Sequence, residues 1–172
     1  MEKYKHSDYV THINNEEDLV YLKTKHFPVN MRLFNTSPEY KELILAQCNY
    51  IRKLALTKMD GYKKPHGLSS ANAGLAFNII GVVLNRNTEH ESCKILINPI
   101  IKEYLGEIIE TTTNCGSVTL KNPIKVNRNT VINVCYYDEA GKIWRHDFGR
   151  EIGSFTIQHE VDHNNGILII DK

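Results

Sequence analysis

No Cys-x-x-Cys pair occurs in the 172 residues, and the four cysteines, at positions 48, 93, 115 and 135, stand too far apart for a dense disulfide framework. Reduced thiols in a cytosol-like compartment are therefore expected. An excess of one charge is missing too: 21 basic and 20 acidic side chains leave a net +1, and no Lys/Arg run exceeds two. That balance gives no electrostatic footprint for nucleic acid or a polyanion, so a small or peptidic substrate is the expected partner. No apolar run approaches a membrane span, and Met1-Glu2-Lys3-Tyr4-Lys5-His6 leads into polar sequence without a hydrophobic signal core. A soluble, cytoplasmic protein without membrane contact is the expectation. Internal repeats and low-complexity linkers are also absent, and 172 residues suit a single domain able to bury a core.

What is present reads as an α+β fold. Residues 1–36 offer only an irregular N-terminal segment of unassigned role, with a short strand at Leu19-Val20-Tyr21-Leu22. Ser37-Pro38-Glu39 then supplies a capping hydroxyl, a proline at the first helical position and an acid in the first turn. Leu43, Ile44, Cys48, Ile51, Leu54 and Ala55 follow at helical spacing, up to a stop at Asp60-Gly61. Cys48 lies on that stripe and reads as a small core residue.

The run His66-Gly67-Leu68-Ser69-Ser70-Ala71-Asn72-Ala73-Gly74-Leu75 is built of small side chains. It reads either as a backbone that approaches a ligand closely or as a flexible surface loop. Six strands are predicted next, at 79–84, 94–97, 107–112, 124–127, 131–137 and 142–148, with a hairpin at Asp138-Glu139-Ala140-Gly141. Several mostly antiparallel strands packed around a central helix are expected, that helix drawing Ile152, Phe155, Ile157 and Val161 inward, with Ile167 to Ile170 closing as a strand.

The central helix carries the chemistry. In Gln158-His159-Glu160-Val161-Asp162-His163-Asn164-Asn165-Gly166 two histidines stand four apart. On an α-helix that is about 40° around the axis, so both imidazoles can reach one ion. Glu160 follows the first histidine directly, beside the ion without binding it, where a carboxylate can accept and return a proton. A chance match on an ordinary buried helix is the competing reading; the helix stop at Asn164-Asn165-Gly166 counts against it by placing the pattern in the last two turns. A catalytic site of this type needs three protein ligands and one open position. Only nine residues follow His163, and Ile169, at the position where one HExxH variant has its third histidine, cannot bind metal, so the third ligand is expected upstream. His6, His12, His26, His66, His90, His146 and the cysteines are all competent. Cys115, in Thr113-Asn114-Cys115-Gly116-Ser117 after a predicted strand, stands apart for its turn-like setting, although taken alone a buried strand-end thiol is the favoured reading.

Three motifs, in order, resemble the peptide deformylase family. His66 to Asn72 is similar to its GxGLAAxQ loop, Asn114-Cys115-Gly116-Ser117 to its EGCLS turn, and Gln158 to Gly166 matches its QHExDHxxG helix at every fixed position. Ile97-Asn98-Pro99 is similar as well, so the likeness runs from about 37 to 172. Its brevity resembles that of virus-encoded or otherwise divergent members. The resemblance implies a hydrolase that removes the N-formyl group from formyl-methionyl nascent peptides. Cys115, His159 and His163 would hold one divalent ion. Donor type suggests Zn2+, and the family commonly uses Fe2+. Glu160 would act as general base and acid, Gly116 N–H and the Asn72 amide would meet the oxyanion, and His66, Gly67 and Leu68 would lie along an extended substrate. A transient ribosome contact is implied as well, though not through the helical extension many bacterial members carry. Another metallo-amidase, or a peptide-binding homologue with little turnover, is the alternative.

The chain departs from the family at Pro65-His66-Gly67 for Gly-x-Gly, at Ser69-Ser70 for Ala-Ala, at Thr113-Asn114 for Glu-Gly, at Gly116 for leucine, and at Asn72 for glutamine. Asparagine reaches about 1.5 Å less. Loss of one oxyanion donor costs about 3 kcal/mol, so Asn72→Gln is expected to raise turnover.

Overall fold

The computed structural model describes residues 13–57, 64–118 and 122–172. Helices α1 (Glu16–Leu22), α2 (Met31–Thr36) and α3 (Pro38–Leu56) precede five strands: β1 (Gly67–Ser69), β2 (Ile79–Leu84), β3 (Ser92–Thr113), β4 (Ile124–Tyr137) and β5 (Ile143–Phe148). Helix α4 (Ser154–Asn164) follows, flanked by 3-10 turns at Arg150–Ile152 and Ile169–Asp171. All neighbouring strands pair antiparallel, in the order β1-β2-β3-β4-β5. No helix among the described residues is long and apolar enough to cross a membrane.

Alternation along β2 and β3 explains where the two principal helices sit. Ile79, Val83, Cys93, Ile95 and Ile97 pack with Ile44, Cys48, Ile51, Leu54 and Ala55 of α3. Ile80, Val82 and Leu96 point the other way, joining Ile132, Val134 and Phe148 against Ile157 and Val161 of α4. With a helix on each face, a strand must be apolar at both parities, which is why Ile-Ile-Gly-Val-Val-Leu reads as one continuous hydrophobic run.

The N-terminal region differs from expectation. Residues 19–22 belong to α1 instead of a strand: Asn15 Oδ1 accepts from Asp18 N–H at 2.9 Å, and three acids occupy the first turn. That cap and the favourable dipole outweigh the β-leaning Leu-Val-Tyr-Leu. Asn30 caps α2 in the same way, accepting from the N–H groups of Arg32 and Leu33, so the segment is more regular than predicted. Helix α3 starts as read, with Ser37 Oγ accepting from Tyr40 N–H at 3.3 Å, and Cys48 is fully buried. Leu43, however, is 50% exposed, one position off the buried stripe. The helix ends at Leu56; the predicted stop at Asp60-Gly61 lies outside the described residues.

Two pairs of predicted strands are in fact single strands. Asn98-Pro99 does not end β3, because the strand absorbs the irregularity as register shifts at Ile97/Ile100, Ile101/Glu103 and Leu105/Ile108. Asn98 takes φ 51°, and its amide exchanges hydrogen bonds of 2.8 Å with both backbone groups of Val29. Residues 124–137 likewise continue through Arg128-Asn129-Thr130. The 138–141 hairpin forms, with Asp138 Oδ1 accepting from the N–H groups of Ala140 and Lys142 at 2.9 Å. The predicted closing strand at 167–170 is a 3-10 turn instead, closed by Asp171 Oδ2 on Leu168 N–H at 2.9 Å. Ile152 lies outside α4 and is 42% exposed, because Gly153 (φ 98°) breaks the chain before the helix begins.

Candidate active site

Helix α4 is held in place from three sides before any ligand is considered. From β4, Asn129 donates its N–H to Gln158 Oε1 at 3.2 Å, and Gln158 Nε2 returns a bond to Asn129 O at 2.8 Å. The adjacent Arg128, 5% exposed, donates to Asp162 Oδ2 at 2.7 Å, and Lys172 Nζ reaches the same oxygen at 2.9 Å. At the helix end Asn164 ties in the small-residue loop: its Nδ2 donates to Asn78 Oδ1 and Ile79 O at 3.0 Å, and its Oδ1 accepts from Ala71 N–H at 3.3 Å. Gly166, at φ 75°, then lets the chain pass so close to α1 that a Cβ there would sit 2.2 Å from Lys23 O.

These restraints present His159 and His163 together. Their Nε2 atoms are 3.2 Å apart, and Cys115 Sγ, in the turn just after β3, is 3.1 Å from His163 Nε2. All three potential ligand atoms lie within 4.8 Å of one another. A tetrahedral ion with about 2.05 Å bonds to nitrogen and about 2.3 Å to sulfur has edges of about 3.3 and about 3.6 Å, so the His159–His163 edge is near its bound length and Cys115 Sγ would move about 0.5 Å away from His163 Nε2. Burial lowers both imidazoles, His159 to about 4 with Arg128 and Lys172 adding to the effect, and His163 to about 3 with His159 adding to it. Burial likewise pushes the Cys115 thiol up to about 12. Without an ion the cluster is therefore neutral, and binding a cation releases the thiol proton. His163 Nδ1 is buried with no partner among the described residues, so that ring is oriented from its Nε2 side.

Glu160, 4% exposed, faces away from solvent beneath β1. A Cβ on Gly67 would stand 2.4 Å from Thr156 Cγ2 and 3.2 Å from Glu160 Cγ, so only glycine lets β1 lie this close on α4. Burial lifts the carboxyl to about 8, partly offset by the N–H and hydroxyl of Ser69. Its Oε2 has no hydrogen-bond partner among the described residues, leaving it available to a water or a leaving group.

The small-residue run is not the flexible loop of the alternative reading: Gly67–Ser69 forms a strand that, among the described residues, pairs on one side only. Val83 N–H donates to His66 O and Ser70 N–H to Ile79 O, so residues 66, 68 and 70 point their backbone groups at β2. By alternation, Gly67 points its own at the other edge, while the Ser69 N–H and C=O turn inward to Asn72 Oδ1 and Ala73 N–H, each at 3.1 Å. This corrects the expectation for Leu68, whose backbone faces β2 and whose side chain is buried against α3. His66 is exposed just before the strand, its Nε2 3.0 Å from Arg86 Nη1.

Asn72 also departs from expectation. Its Nδ2 donates to Ser117 Oγ at 2.7 Å, and its Oδ1 accepts from Ser69 N–H at 3.1 Å and Ser69 Oγ at 2.6 Å, so the amide is already engaged within the protein. Gly116 is exposed in the turn beside Cys115. Sequence reasoning assigned nothing to Arg128, Ser69 or Ser117. Arg128 carries no local signal, lying in what reads as a gap between strands, whereas the two serines stand inside the quoted motifs.

A family model for polypeptide deformylase matches residues 28–172. The peptide deformylase of Karelsulcia muelleri (strain GWSS) is 34% identical over 107 residues, 62% of this chain and 55% of that protein. That of Synechocystis sp. (strain ATCC 27184 / PCC 6803 / Kazusa) is 31% identical over 124 residues, 71% and 65% respectively. The chain thus spans less than two thirds of these relatives' length. Its fold superposes on a Met-Ala-Ser-bound class I type b peptide deformylase from Acinetobacter baumannii with a TM-score of 0.73 at 21% identity, covering 94% of this chain and 95% of that one. The match over residues 28–172 establishes that the chain belongs to the polypeptide deformylase family.

Proposed function

We propose that this protein is a metal-dependent peptide deformylase, hydrolysing the formyl amide at the N-terminus of formyl-methionyl peptides to formate and a free amine. The observation that carries the reading is the meeting of Cys115, His159 and His163 within 4.8 Å beside a buried glutamate and an open strand edge. Cys115, His159 and His163 would hold one divalent ion, and a thiolate with two imidazoles accepts Zn2+ or Fe2+. Bound there, the ion supplies Lewis acidity, making water acidic and the formyl carbonyl electrophilic.

The chain's own groups do the rest. Glu160 takes a proton from the attacking water and delivers it to the departing amide nitrogen, so that the C–N bond breaks to an amine. Gly67 N–H and C=O lie on the unpaired edge of β1, where an extended peptide can add as a further strand. A deformylase of the same fold is known bound to Met-Ala-Ser, a peptide that begins with methionine. Gly116 N–H, on the residue directly after Cys115, would meet the developing oxyanion. Unpaired cysteines at 48, 93, 115 and 135 support a reducing, cytoplasmic setting. Action on nascent chains brings the enzyme into transient contact with the ribosome.

The test is to purify the protein anaerobically, count bound metal, and measure formate released from a short formylated peptide, with Glu160→Ala as control. About one ion per chain and a rate roughly 10² to 10⁴ above the control are expected. A full metal load with no formate above the control would overturn the reading in favour of a peptide-binding homologue, and release of an amino acid instead of formate would favour another metallo-amidase.

A further inference from the structure

A buried chain of polar groups connects the general base to the metal-binding cysteine. Ser69 lies against Glu160. From Ser69 the chain passes to Asn72 Oδ1 at 2.6 Å, from Asn72 Nδ2 to Ser117 Oγ at 2.7 Å, and from Ser117 N–H to Cys115 Sγ at 3.4 Å. Ser69, Asn72 and Ser117 are 0%, 4% and 0% exposed, so each bond is made without competition from bulk water. The three come from the β1 loop and from the turn after β3, 45 residues apart between Asn72 and Ser117.

Two members of this chain are departures from the family pattern, serine at 69 for alanine and asparagine at 72 for glutamine. They are also bonded to each other. A glutamine at 72 would carry its amide about 1.5 Å further. That space is occupied: the asparagine amide already touches a hydroxyl at each end, at 2.6 and 2.7 Å. The shorter amide leaves room that the Ser69 hydroxyl fills, so either change is accommodated by the other.

We propose that Ser69 and Asn72 form a matched positioning pair, holding Glu160 and the Cys115 turn in fixed relation to each other, in place of an amide aimed at the reacting carbonyl. This rests on the deformylase reading and deepens it. It also reverses the expectation from reach alone, because Asn72→Gln by itself overpacks the pair.

A double-mutant cycle of Ser69→Ala and Asn72→Gln tests the pairing, with three readouts on each protein. These are kcat and KM for formate release, the near-ultraviolet thiolate-to-cobalt band of protein loaded with Co2+, and the thermal midpoint of metal-free protein. Asn72→Gln should lose about tenfold in kcat with KM within about twofold, and should displace the cobalt band. The double variant should return to within about threefold of the parent, with the band restored. A faster Asn72→Gln, or single effects that simply multiply in the double variant, would overturn the pairing. Should Asn72→Gln fail to fold, Ser117→Ala takes its place: it removes the Asn72 acceptor with little change in volume. A displaced cobalt band with unchanged circular dichroism supports the proposal, and an unmoved band overturns it. Should the parent release no formate, the deformylase reading fails separately, and coupling in the cobalt band and the thermal midpoint still decides between paired and independent roles.

Discussion

Asp162→Asn tests how the site tolerates cations beside it. The carboxylate is 2.7 Å from Arg128 Nη1 and 2.9 Å from Lys172 Nζ, and it sits on α4 between the two histidines. Arg128's side chain is 5% exposed, Asp162's 15% and Lys172's 31%, so Arg128 depends on this partner while Lys172 can turn to solvent. Breaking a buried pair from one side costs about 3–5 kcal/mol, since the remaining charge stays desolvated. Partial exposure of Asp162 puts the expected loss near the lower end, about 3 kcal/mol, or roughly 6–12 °C in thermal midpoint for a chain of this size. Arg128 and Lys172 already lower the His159 pKa, so without the carboxylate they face the incoming ion uncompensated. Metal affinity should fall about 10- to 100-fold. Thermal melts of metal-free protein and competition with a chromogenic chelator give the two numbers. Glu110→Gln is the control: the Lys125–Glu110 pair is 2.6 Å long but 69% and 58% exposed, and its loss should leave the thermal midpoint close to the parent's. Adding Arg128→Met to Asp162→Asn should restore affinity by removing the stranded cation. An Asp162→Asn protein as stable as Glu110→Gln, or affinity that stays low after Arg128 is neutralised, would refute the reasoning.

In metal-free protein the Glu160 carboxyl is raised to about 8, so between its unfolded value of 4.5 and about 8 the folded state holds a proton that the unfolded chain has released, and stability falls as pH rises. Glu160→Gln should abolish that slope in urea midpoints taken at about pH 5 and about pH 8; parallel profiles for the two proteins would contradict it. Gly67→Ala places a Cβ 2.4 Å from Thr156 Cγ2 and 2.9 Å from Gly81 O, so it should destabilise by about 1–3 kcal/mol and lower formate release with it. An unchanged urea midpoint would show that β1 does not rest on α4 as described. Cys115→Ser replaces the soft donor, and stabilisation by added Zn2+ in thermal melts should largely disappear while the metal-free midpoint stays close to the parent's.

Much of the fold was legible because its cause is local. The Ser37-Pro38 start of α3 and strand β2 each follow from a short run of residues, and the structure has them at those positions. The failures share a different cause. The 19–22 stretch reads as a strand on β-propensity, while the cap at Asn15 and the docking of Leu22 against Ala71 and Leu168 make it helical. Asn98-Pro99 looked like a strand end because the sequence cannot display the bond pair to Val29 that lets the strand continue. Leu43 was misplaced because an apolar residue one step off a helical stripe cannot be told from one on it until the packing partner is known.

The site divides along the same line. Two histidines four apart and a glutamate between them express their geometry through helical periodicity alone, so the sequence states which side chains can converge. Asn72 is the opposite case. Judged by reach along its own side chain it looked too short for its duty, and lengthening it looked like a repair. Its real partners, Ser69 Oγ and Ser117 Oγ, are fixed by the packing of the β1 loop against a turn 45 residues further on. A departure from a family motif therefore says how far a side chain reaches, but not what already fills the space beyond it. Where two departures touch, as Ser69 and Asn72 do, they are better treated as one change than as two.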